Sequence, residues 1–350
     1  MPDAAPSLAE LGWDDRLTAL FAPYADAGLR PARVTRGGRG AVDVLSVAGA
    51  ARVRFGPDLG DDLPVVGDWV ALADGADGAD RADGLATVVA VVPRGSALVR
   101  GATGPTTGPQ VLAANVDRVL ILVGLDNEPN QRRLERALAI AWSSGALPAV
   151  VLTKADLCAD RDAARLRVEE VALGVDVVLV SAVTGEGVDG LRSLVAGRTS
   201  VLVGASGAGK STLANVLCGN EELATAEVRS DGKGRHTTVA GELVVLPGGG
   251  VLLDTPGLRA IALWDAGDGL ERTFADVEEA AAACRFSDCA HDREPGCAVR
   301  ESVPPARLEA WRKLQGELRH LARRQDQRLA AEDRRAWKLI TREHRGRGRP

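Results

Sequence analysis

Apolar and polar positions along the chain change their periodicity several times, and each change predicts a different kind of structure. Residues 8–30 carry apolar side chains at roughly helical spacing, which predicts a short helical arm within residues 1–30. Over residues 31–93 the apolar residues form short alternating runs between glycine-rich turns, a pattern typical of a small all-β barrel. Residues 94–110 are rich in Gly, Thr and Pro and are predicted to be a linker loop.

Residues 111–258 alternate apolar strand-like runs with amphipathic stretches. The predicted strands are 116–123, 149–152, 175–180, 201–203, 242–246 and 251–254, with helices between the first four and after the fourth. This alternation is typical of an α/β domain with a parallel sheet flanked by helices. Residues 259–350 have helical periodicity interrupted by a cysteine cluster, so the chain is predicted to be multidomain, with a C-terminal α-helical domain.

A phosphate-binding loop lies between the strand at 201–203 and the helix that follows it. The sequence Gly-x4-Gly-Lys-Ser in this context predicts a loop whose backbone N–H groups surround phosphate oxygens. We expect Lys210 to reach the β and γ phosphates as a catalytic residue and Ser211 to bind Mg²⁺. The predicted nucleotide-binding residues here are Gly204, Ala205, Ser206, Gly207, Ala208, Gly209, Lys210, Ser211 and Thr212.

A second motif, Asp-x-x-Gly, follows the phosphate loop. Asp254 comes directly after the apolar run 251–253, where its carboxylate can hold Mg²⁺, and Gly257 can donate a backbone N–H to the γ phosphate. The tetrapeptide alone is common in turns. Its place about 43 residues after the loop favours a nucleotide site.

The motif that can recognise guanine precedes the phosphate loop. Thr153, Lys154 and Asp156 follow the strand at 149–152, and an acidic side chain there can accept the N1 and N2 protons of guanine. Ser181 and Ala182 follow the next strand and offer a backbone donor for the guanine oxygen. In an ordinary GTPase this motif comes last, so the order indicates a circularly permuted GTPase domain.

Three cysteines and a histidine lie within fourteen residues near the C-terminal end. Cys284, Cys289, His291 and Cys297 are four soft or imidazole ligands, the number and type that suit tetrahedral Zn²⁺. A closed set of four ligands leaves no open coordination position, so we expect one structural zinc ion. Buried free cysteines beside a surface histidine are the alternative.

Charge is unevenly distributed along the chain. The net charge is −5, yet residues 311–350 hold 13 Lys and Arg against 5 Asp and Glu, which favours an anionic partner. A solvated helix with a frayed end would also explain this segment. There is no signal-peptide pattern or apolar membrane-spanning stretch, so we expect a cytoplasmic protein without membrane contact.

The motif order, the cysteine cluster, the Gly67-Asp68-Trp69-Val70 run and the Gly234-Arg235-His236-Thr237-Thr238 run together resemble the ribosome small subunit-dependent GTPase A family. The resemblance extends from about residue 34 to residue 321. It implies an OB-fold barrel, a circularly permuted P-loop GTPase domain and a zinc-binding domain. It also implies a GTPase that binds the small ribosomal subunit and its rRNA during late subunit maturation, with GTP or GDP and Mg²⁺ bound.

The glutamine that orients water in many GTPases is absent, because Leu258 follows the Asp-x-x-Gly glycine. We therefore expect slow intrinsic hydrolysis and a group supplied by residues 233–238 on partner binding. His236 resembles the catalytic histidine proposed for the family, and Thr237 or Thr238 would complete the Mg²⁺ shell. Gly207 stands where potassium-activated relatives carry Asn, which makes potassium dependence doubtful.

Basic residues on the barrel are candidates for rRNA contacts. Phosphate contacts are expected from Arg33, Arg36, Arg39, Arg52 and Arg54, together with the tail from Arg319 to Arg349. Phe55 and Trp69 are the main candidates for exposed aromatic side chains.

Two other functions remain open for a chain that we expect to be monomeric. One is an RNA-binding module that uses guanine nucleotide as a sensor without coupled turnover. The other is a P-loop ATPase, against which the acidic Asp156 argues.

Overall fold

The computed structural model of this 350-residue chain describes residues 5–38, 40–60, 63–73, 86–100, 110–219, 242–254, 267–320 and 322. They form a closed barrel, a mainly parallel sheet flanked by helices, and a group of C-terminal helices beside the cysteine cluster. The fold class predicted from the sequence is confirmed. None of the helices in these ranges is long and apolar enough to cross a membrane.

The barrel is built from five short strands. They are β1 Arg30–Arg36, β2 Ala41–Ser46, β3 Gly49–Phe55, β4 Trp69–Ala73 and β5 Thr87–Val91. All their pairings are antiparallel except that of β3 with β5. The strands follow the order β1-β2-β3-β5-β4, and β1 also pairs with β4, which closes the barrel. Alternating valines from these strands point inward and fill its core.

The N-terminal helix packs on the outside of the barrel. Helix α1, Asp15–Asp26, begins where the Asp14 side chain accepts a hydrogen bond from the Leu17 N–H at 2.8 Å. It is shorter than the predicted helical arm, because residues 8–12 form turns. Trp13 packs edge-on against Trp69 at 4.7 Å, and Trp69 is fully buried. The prediction that Trp69 is an exposed aromatic is therefore wrong.

The second region is a six-stranded sheet. Its strands are β8 Arg118–Gly124, β9 Leu147–Thr153, β10 Asp176–Leu179, β11 Thr199–Gly204, β12 Glu242–Val245 and β13 Val251–Asp254, in the order β10-β9-β8-β11-β13-β12. Pairings among these six strands are parallel except that of β12 with β13, and β12 also pairs antiparallel with β1 of the barrel. The described ends of the predicted linker form a hairpin, β6 Ala97–Arg100 and β7 Gln110–Ala114.

Helices cover both faces of this sheet. They are α2 Gln131–Ser143, α3 Arg161–Glu169, α4 Val188–Val195 and α5 Lys210–Cys218. Apolar residues of α2 and α3 form one core with the sheet, and those of α4 and α5 form a second core on the other face. Strands β8–β10 lie on one side of β11, and β13 and β12 lie on the other. The strand that precedes the phosphate loop, β11, is therefore central in the sheet.

The C-terminal region packs on helix α2. Its helices are α6 Gly267–Thr273, α7 Ala275–Ala281, α8 Ala298–Ser302 and α9 over residues 305–320. Their shared core contains Phe274, Val277 and Trp311, and it includes Ala139 from α2. The C-terminal core is therefore completed by a helix of the α/β domain.

Arg33 joins the barrel to the α/β domain from a fully buried position. Its guanidinium donates hydrogen bonds to the carbonyl oxygens of Leu11 and Asn115 and to Thr199 Oγ1, the last at 2.8 Å. Burial lowers the pKa of Arg33 to about 10. The predicted phosphate contact for Arg33 is wrong, because these three structural segments enclose the side chain.

Candidate functional site

The phosphate-binding loop connects the end of β11 to the start of α5. Gly209 has φ +87° and directly precedes the helix, so a left-handed residue forms the sharp turn into it. The Lys210 ammonium donates hydrogen bonds to the carbonyl oxygens of Gly204 at 3.1 Å and Ala205 at 2.8 Å. Lys210 therefore folds back over the loop, and Ser211 and Thr212 follow it in the first turn of α5.

The predicted guanine-recognition segment contacts the predicted phosphate-binding loop directly. Thr153 is buried at the end of β9, and its hydroxyl donates a hydrogen bond to the Ala208 carbonyl oxygen at 2.8 Å. Thr occupies the position where a GTPase usually has Asn. Its hydroxyl nevertheless fixes the two loops relative to each other.

Asp156 lies in a short 3₁₀ turn after Lys154 and is oriented by a serine from the next strand. The buried Ser181 hydroxyl donates to Asp156 Oδ1 at 2.5 Å and accepts from the Thr184 N–H at 3.1 Å. Ser181 thus holds the carboxylate in one orientation, which favours recognition of a base by paired hydrogen bonds.

A cavity of about 230 Å³ lies between these elements. It is lined by Thr153, Lys154, Asp156, Leu157, Val180, Ala182, Val183, Gly209, Thr212 and Leu213. Leu157 and Val183, which are 63% and 84% exposed, place apolar side chains in the lining of this cavity. They provide apolar walls suited to a flat ring. Neither residue belongs to the recognition motif, so neither could be predicted from it.

A second cavity, of about 350 Å³, lies beside the phosphate-binding loop. It is bounded by the loop residues Gly204–Ala208, by the segment after β8, and by the first turns of α2, where Asn130 and Arg133 are located. Lys154 lines both cavities. The two cavities therefore meet at the Lys154 side chain.

Some predicted site residues cannot be compared with the structure. Gly257, His236, Thr237 and Thr238 lie outside the described residues, as do Leu258, Arg39 and the tail beyond residue 322. Asp254 is the last residue of β13, which pairs with β11, so its backbone lies at the same sheet edge as the phosphate-binding loop.

The four predicted metal ligands come together. One ligand atom from each of Cys284, Cys289, His291 and Cys297 lies within 4.8 Å of all the others. His291 Nδ1 is 3.6 Å from the sulfurs of Cys284 and Cys297, and these two sulfurs are 4.0 Å apart. Hydrogen bonds from the Val299 and Ala298 N–H groups lower the pKa of Cys284. The cluster can hold one metal ion.

The shape of this cluster is fixed by the surrounding helices. His291 has φ +58°, a conformation that a residue with a side chain rarely adopts. Its carbonyl oxygen accepts a hydrogen bond from Arg312, and its ring packs edge-on against Trp311 at 5.6 Å. Residues of α9 thus hold the cluster in place.

A buried ionic network connects the C-terminal region to α2. Arg307, 4% exposed, donates to both Asp276 oxygens at 2.5 and 2.7 Å and to Glu135 Oε1 at 3.2 Å. Its guanidinium also lies 4.8 Å from the Phe274 ring centre. Burial raises the pKa of Glu135. No sequence pattern predicts this network, because its members are far apart in the chain.

A glycine-rich loop after a central parallel strand, with a base-recognition segment from preceding strands, defines a circularly permuted phosphate-loop GTPase. The model of the RsgA GTPase family matches residues 91–264. The chain is 46% identical over 344 residues to the small ribosomal subunit biogenesis GTPase RsgA of Streptomyces coelicolor, covering 95% of this chain and 92% of the relative. The chain belongs to the RsgA GTPase family.

Other relatives and solved structures agree. The protein of the same name from Opitutus terrae is 42% identical over 360 residues, covering 98% of each chain. The crystal structure of YjeQ from Thermotoga maritima has a TM-score of 0.63 at 27% identity, covering 83% of this chain and 98% of that one. YloQ, described as a circularly permuted GTPase, shares the fold with a TM-score of 0.59 over 83% of this chain and 96% of that one, at 22% identity.

Proposed function

We propose that this protein binds the small ribosomal subunit and hydrolyses GTP to GDP and phosphate during its late maturation. The observation that carries the proposal is the direct link between the phosphate loop and the base-recognition segment, the Thr153 hydroxyl bonded to the Ala208 carbonyl. Family membership and the names of the relatives support the ribosomal role.

Within the nucleotide site each predicted residue has a separate role. The N–H groups of Gly204–Ser211 bind phosphate oxygens, and Lys210 exchanges its two loop carbonyls for the β and γ phosphates. Asp156 accepts guanine N–H groups, and the segment at Ser181 and Ala182 donates to the guanine oxygen. Ser211, Asp254 and Thr237 or Thr238 would hold Mg²⁺, which would offset phosphate charge.

The cysteine cluster is proposed to hold one structural Zn²⁺. With Zn–S bonds of about 2.3 Å and Zn–N bonds of about 2.0–2.1 Å, tetrahedral ligands lie about 3.8 Å apart for two sulfurs and about 3.6 Å for sulfur and nitrogen. The separations of 4.0 and 3.6 Å among Cys284, Cys297 and His291 Nδ1 fit this geometry.

The rRNA contacts are proposed for the basic residues that remain on the barrel surface. Arg36, Arg52 and Arg54 are exposed, whereas Arg33 is not. Arg36 pairs with Glu242 at 2.9 Å and Arg52 pairs with Asp43 at 2.8 Å. Exposed pairs of this kind are weak, so a phosphate backbone can displace the carboxylates.

We expect GTP turnover to rise when purified small ribosomal subunits are added. With Leu258 in place of a water-orienting glutamine, intrinsic turnover is slow, and a partner-ordered His236 supplies the missing group. Groups ordered by a partner raise turnover by up to about 10³–10⁵-fold in other GTPases. The measurement is phosphate release with and without subunits, with large subunits and ATP as controls.

The alternative function is a nucleotide sensor without coupled turnover. It predicts that small subunits bind the protein while GTP turnover stays at its intrinsic level. Stimulation by large subunits to the same extent, or equal turnover of ATP, would contradict the proposed function.

Replacing Asp156 by asparagine should weaken GTP binding by about 100-fold, because hydrogen bonds to a charged carboxylate are about twice as strong as neutral ones. The amide can donate to the xanthine oxygen, so binding of xanthosine triphosphate should increase. Affinity is measured by nucleotide competition. Asp162→Asn, the same substitution at an exposed position in α3, is the matched control.

A further inference from the structure

The side chain that separates the two cavities is held by a carboxylate outside the recognition motif. Lys154 Nζ lies 2.7 Å from Asp126 Oδ2. Lys154 lines both cavities, whereas Asp126 lines only the cavity beside the phosphate loop. The ammonium group is thus held on the phosphate-loop side, and the methylene stem borders the base cavity.

We propose that Asp126 is a positioning residue for nucleotide binding, acting through Lys154. It directs the ammonium toward the phosphate-loop cavity, so that the aliphatic stem of Lys154 forms a fixed wall for the base. This inference rests on the proposed nucleotide site. It adds to that site a residue that contacts Lys154 and does not itself line the base cavity.

The backbone of Lys154 is already restricted before the side chain is held. Its φ is +57°, a left-handed conformation that a residue with a side chain rarely adopts. The Lys154 carbonyl oxygen accepts from the Leu157 N–H at 3.0 Å, and the Ala155 N–H donates to the Val180 carbonyl oxygen at 3.2 Å. The remaining freedom lies in the rotatable bonds of the side chain, which Asp126 restricts. Ordering these bonds in advance lowers the entropic cost of binding.

The protein leaves room for the Asp126 carboxylate. A Cβ added to Gly124, the last residue of β8, would lie 2.6 Å from Asp126 Oδ1. A side chain at position 124 would therefore displace the carboxylate. The hydrogen bond from Lys154 also lowers the pKa of Asp126, so this carboxylate stays charged at neutral pH.

The ion pair is poorly placed to stabilise the fold. The side chains of Lys154 and Asp126 are 30% and 35% exposed, and partly exposed pairs contribute little to stability. Its effect should therefore appear in nucleotide affinity and leave the melting temperature nearly unchanged. This separates a positioning role from a structural one.

The experiment measures dissociation constants of GDP, GTP and inosine diphosphate for the full chain. Asp126→Asn should weaken all three by a similar factor of about 2–5, the scale of one partly exposed charged contact. The factor should be similar because the Lys154 stem is proposed to border the ring face and not the guanine 2-amino group. Gly124→Ala, which keeps the charge but moves the carboxylate, should have the same effect.

A double-mutant cycle with Lys154→Met gives the decisive test, since Asp126 is proposed to act only through Lys154. Asp126→Asn should have no further effect on affinity in the Lys154→Met background. An unchanged effect in that background would overturn the inference, as would a loss of affinity that parallels a loss of thermal stability. Asp176→Asn, which removes the exposed carboxylate paired with Arg118 at 2.9 Å, is the control and should bind GDP normally.

Failure of this inference can be separated from failure of the proposed site. If Asp126→Asn binds GDP normally while Asp156→Asn binds it weakly, the base site stands and the role of Asp126 is wrong. If both variants bind GDP normally, guanine is not recognised in this cavity, and both proposals fail.

Discussion

Replacement of Cys297 by serine is expected to abolish stoichiometric zinc binding and to unfold the C-terminal helices locally. Cys297 is 2% exposed and belongs to the apolar core that packs on α2, so losing the metal also leaves a polar hydroxyl in that core. Structural zinc sites contribute about 10–16 kcal/mol of apparent binding free energy in small zinc peptides, an upper bound here. Zinc content per chain and protease sensitivity of residues 267–320 are the measurements.

Cys218→Ser is the matched control for this prediction. Cys218 is also buried, at 7% exposure, but it lies in the core of α4 and α5, away from the cluster. The control should keep one zinc ion per chain. Full zinc content in the Cys297→Ser protein would show that the four residues do not form the metal site. A chelator should reproduce the protease sensitivity in the wild-type and Cys218→Ser proteins and add little to it in the Cys297→Ser protein.

Replacement of Arg307 by methionine is expected to destabilise the folded protein by about 3–5 kcal/mol, since it leaves the buried Glu135 carboxylate and the partly buried Asp276 carboxylate without their cation. Glu135 is fully buried, and its Oε2 already has no hydrogen-bond partner among the described residues. Methionine fills much of the volume next to Phe274, so lost packing contributes less than lost charge pairing. Chemical denaturation monitored for the C-terminal region is the measurement.

The loss of stability in the Arg307→Met protein should depend on pH and on a second substitution, and both dependences test whether the unpaired Glu135 carboxylate causes it. Burial already raises the pKa of Glu135, and Arg307 opposes that shift, so removing Arg307 raises this pKa further. A raised carboxyl pKa means that the folded state binds the proton more tightly, so the stability of the variant should fall as the pH rises through that pKa. The destabilisation should therefore be smaller at pH 5 than at pH 8.

Glu135→Gln should recover part of the loss in the Arg307→Met protein and destabilise the wild type. A loss that is independent of pH and not relieved by Glu135→Gln would contradict this explanation.

Features encoded by nearby residues could be predicted from the sequence. The phosphate-binding loop depends on glycines and a lysine within eight positions, and the sheet on apolar runs of strand length. The metal cluster is equally local. Even the start of α1 had a signal, because Asp14 is an N-cap residue, although the apolar spacing alone suggested an earlier start.

Features that join distant segments could not be predicted. Arg33 has the sequence context of an exposed arginine on a strand. It is buried because the fold brings residues 11, 115 and 199 together around its side chain, where they accept its hydrogen bonds. Glu135 and Arg307 are separated by 172 positions, and the pattern of α2 does not show which helix covers its outer side. Burial of these charges is decided by tertiary packing, which periodicity alone does not specify.

The packing of the C-terminal helices on α2 has a consequence for synthesis on the ribosome. Helix α2 ends at residue 143, but the core that covers Ala139 includes Leu314, so that side of α2 stays exposed until the later segment has emerged. At about 5–20 residues per second, the delay is on the order of 10–30 seconds. During that interval the nascent α/β domain presents Ala139, Ile140 and the Glu135 carboxylate to its surroundings. A carboxylate on that face keeps it partly hydrated until Arg307 arrives, which limits premature association of incomplete chains.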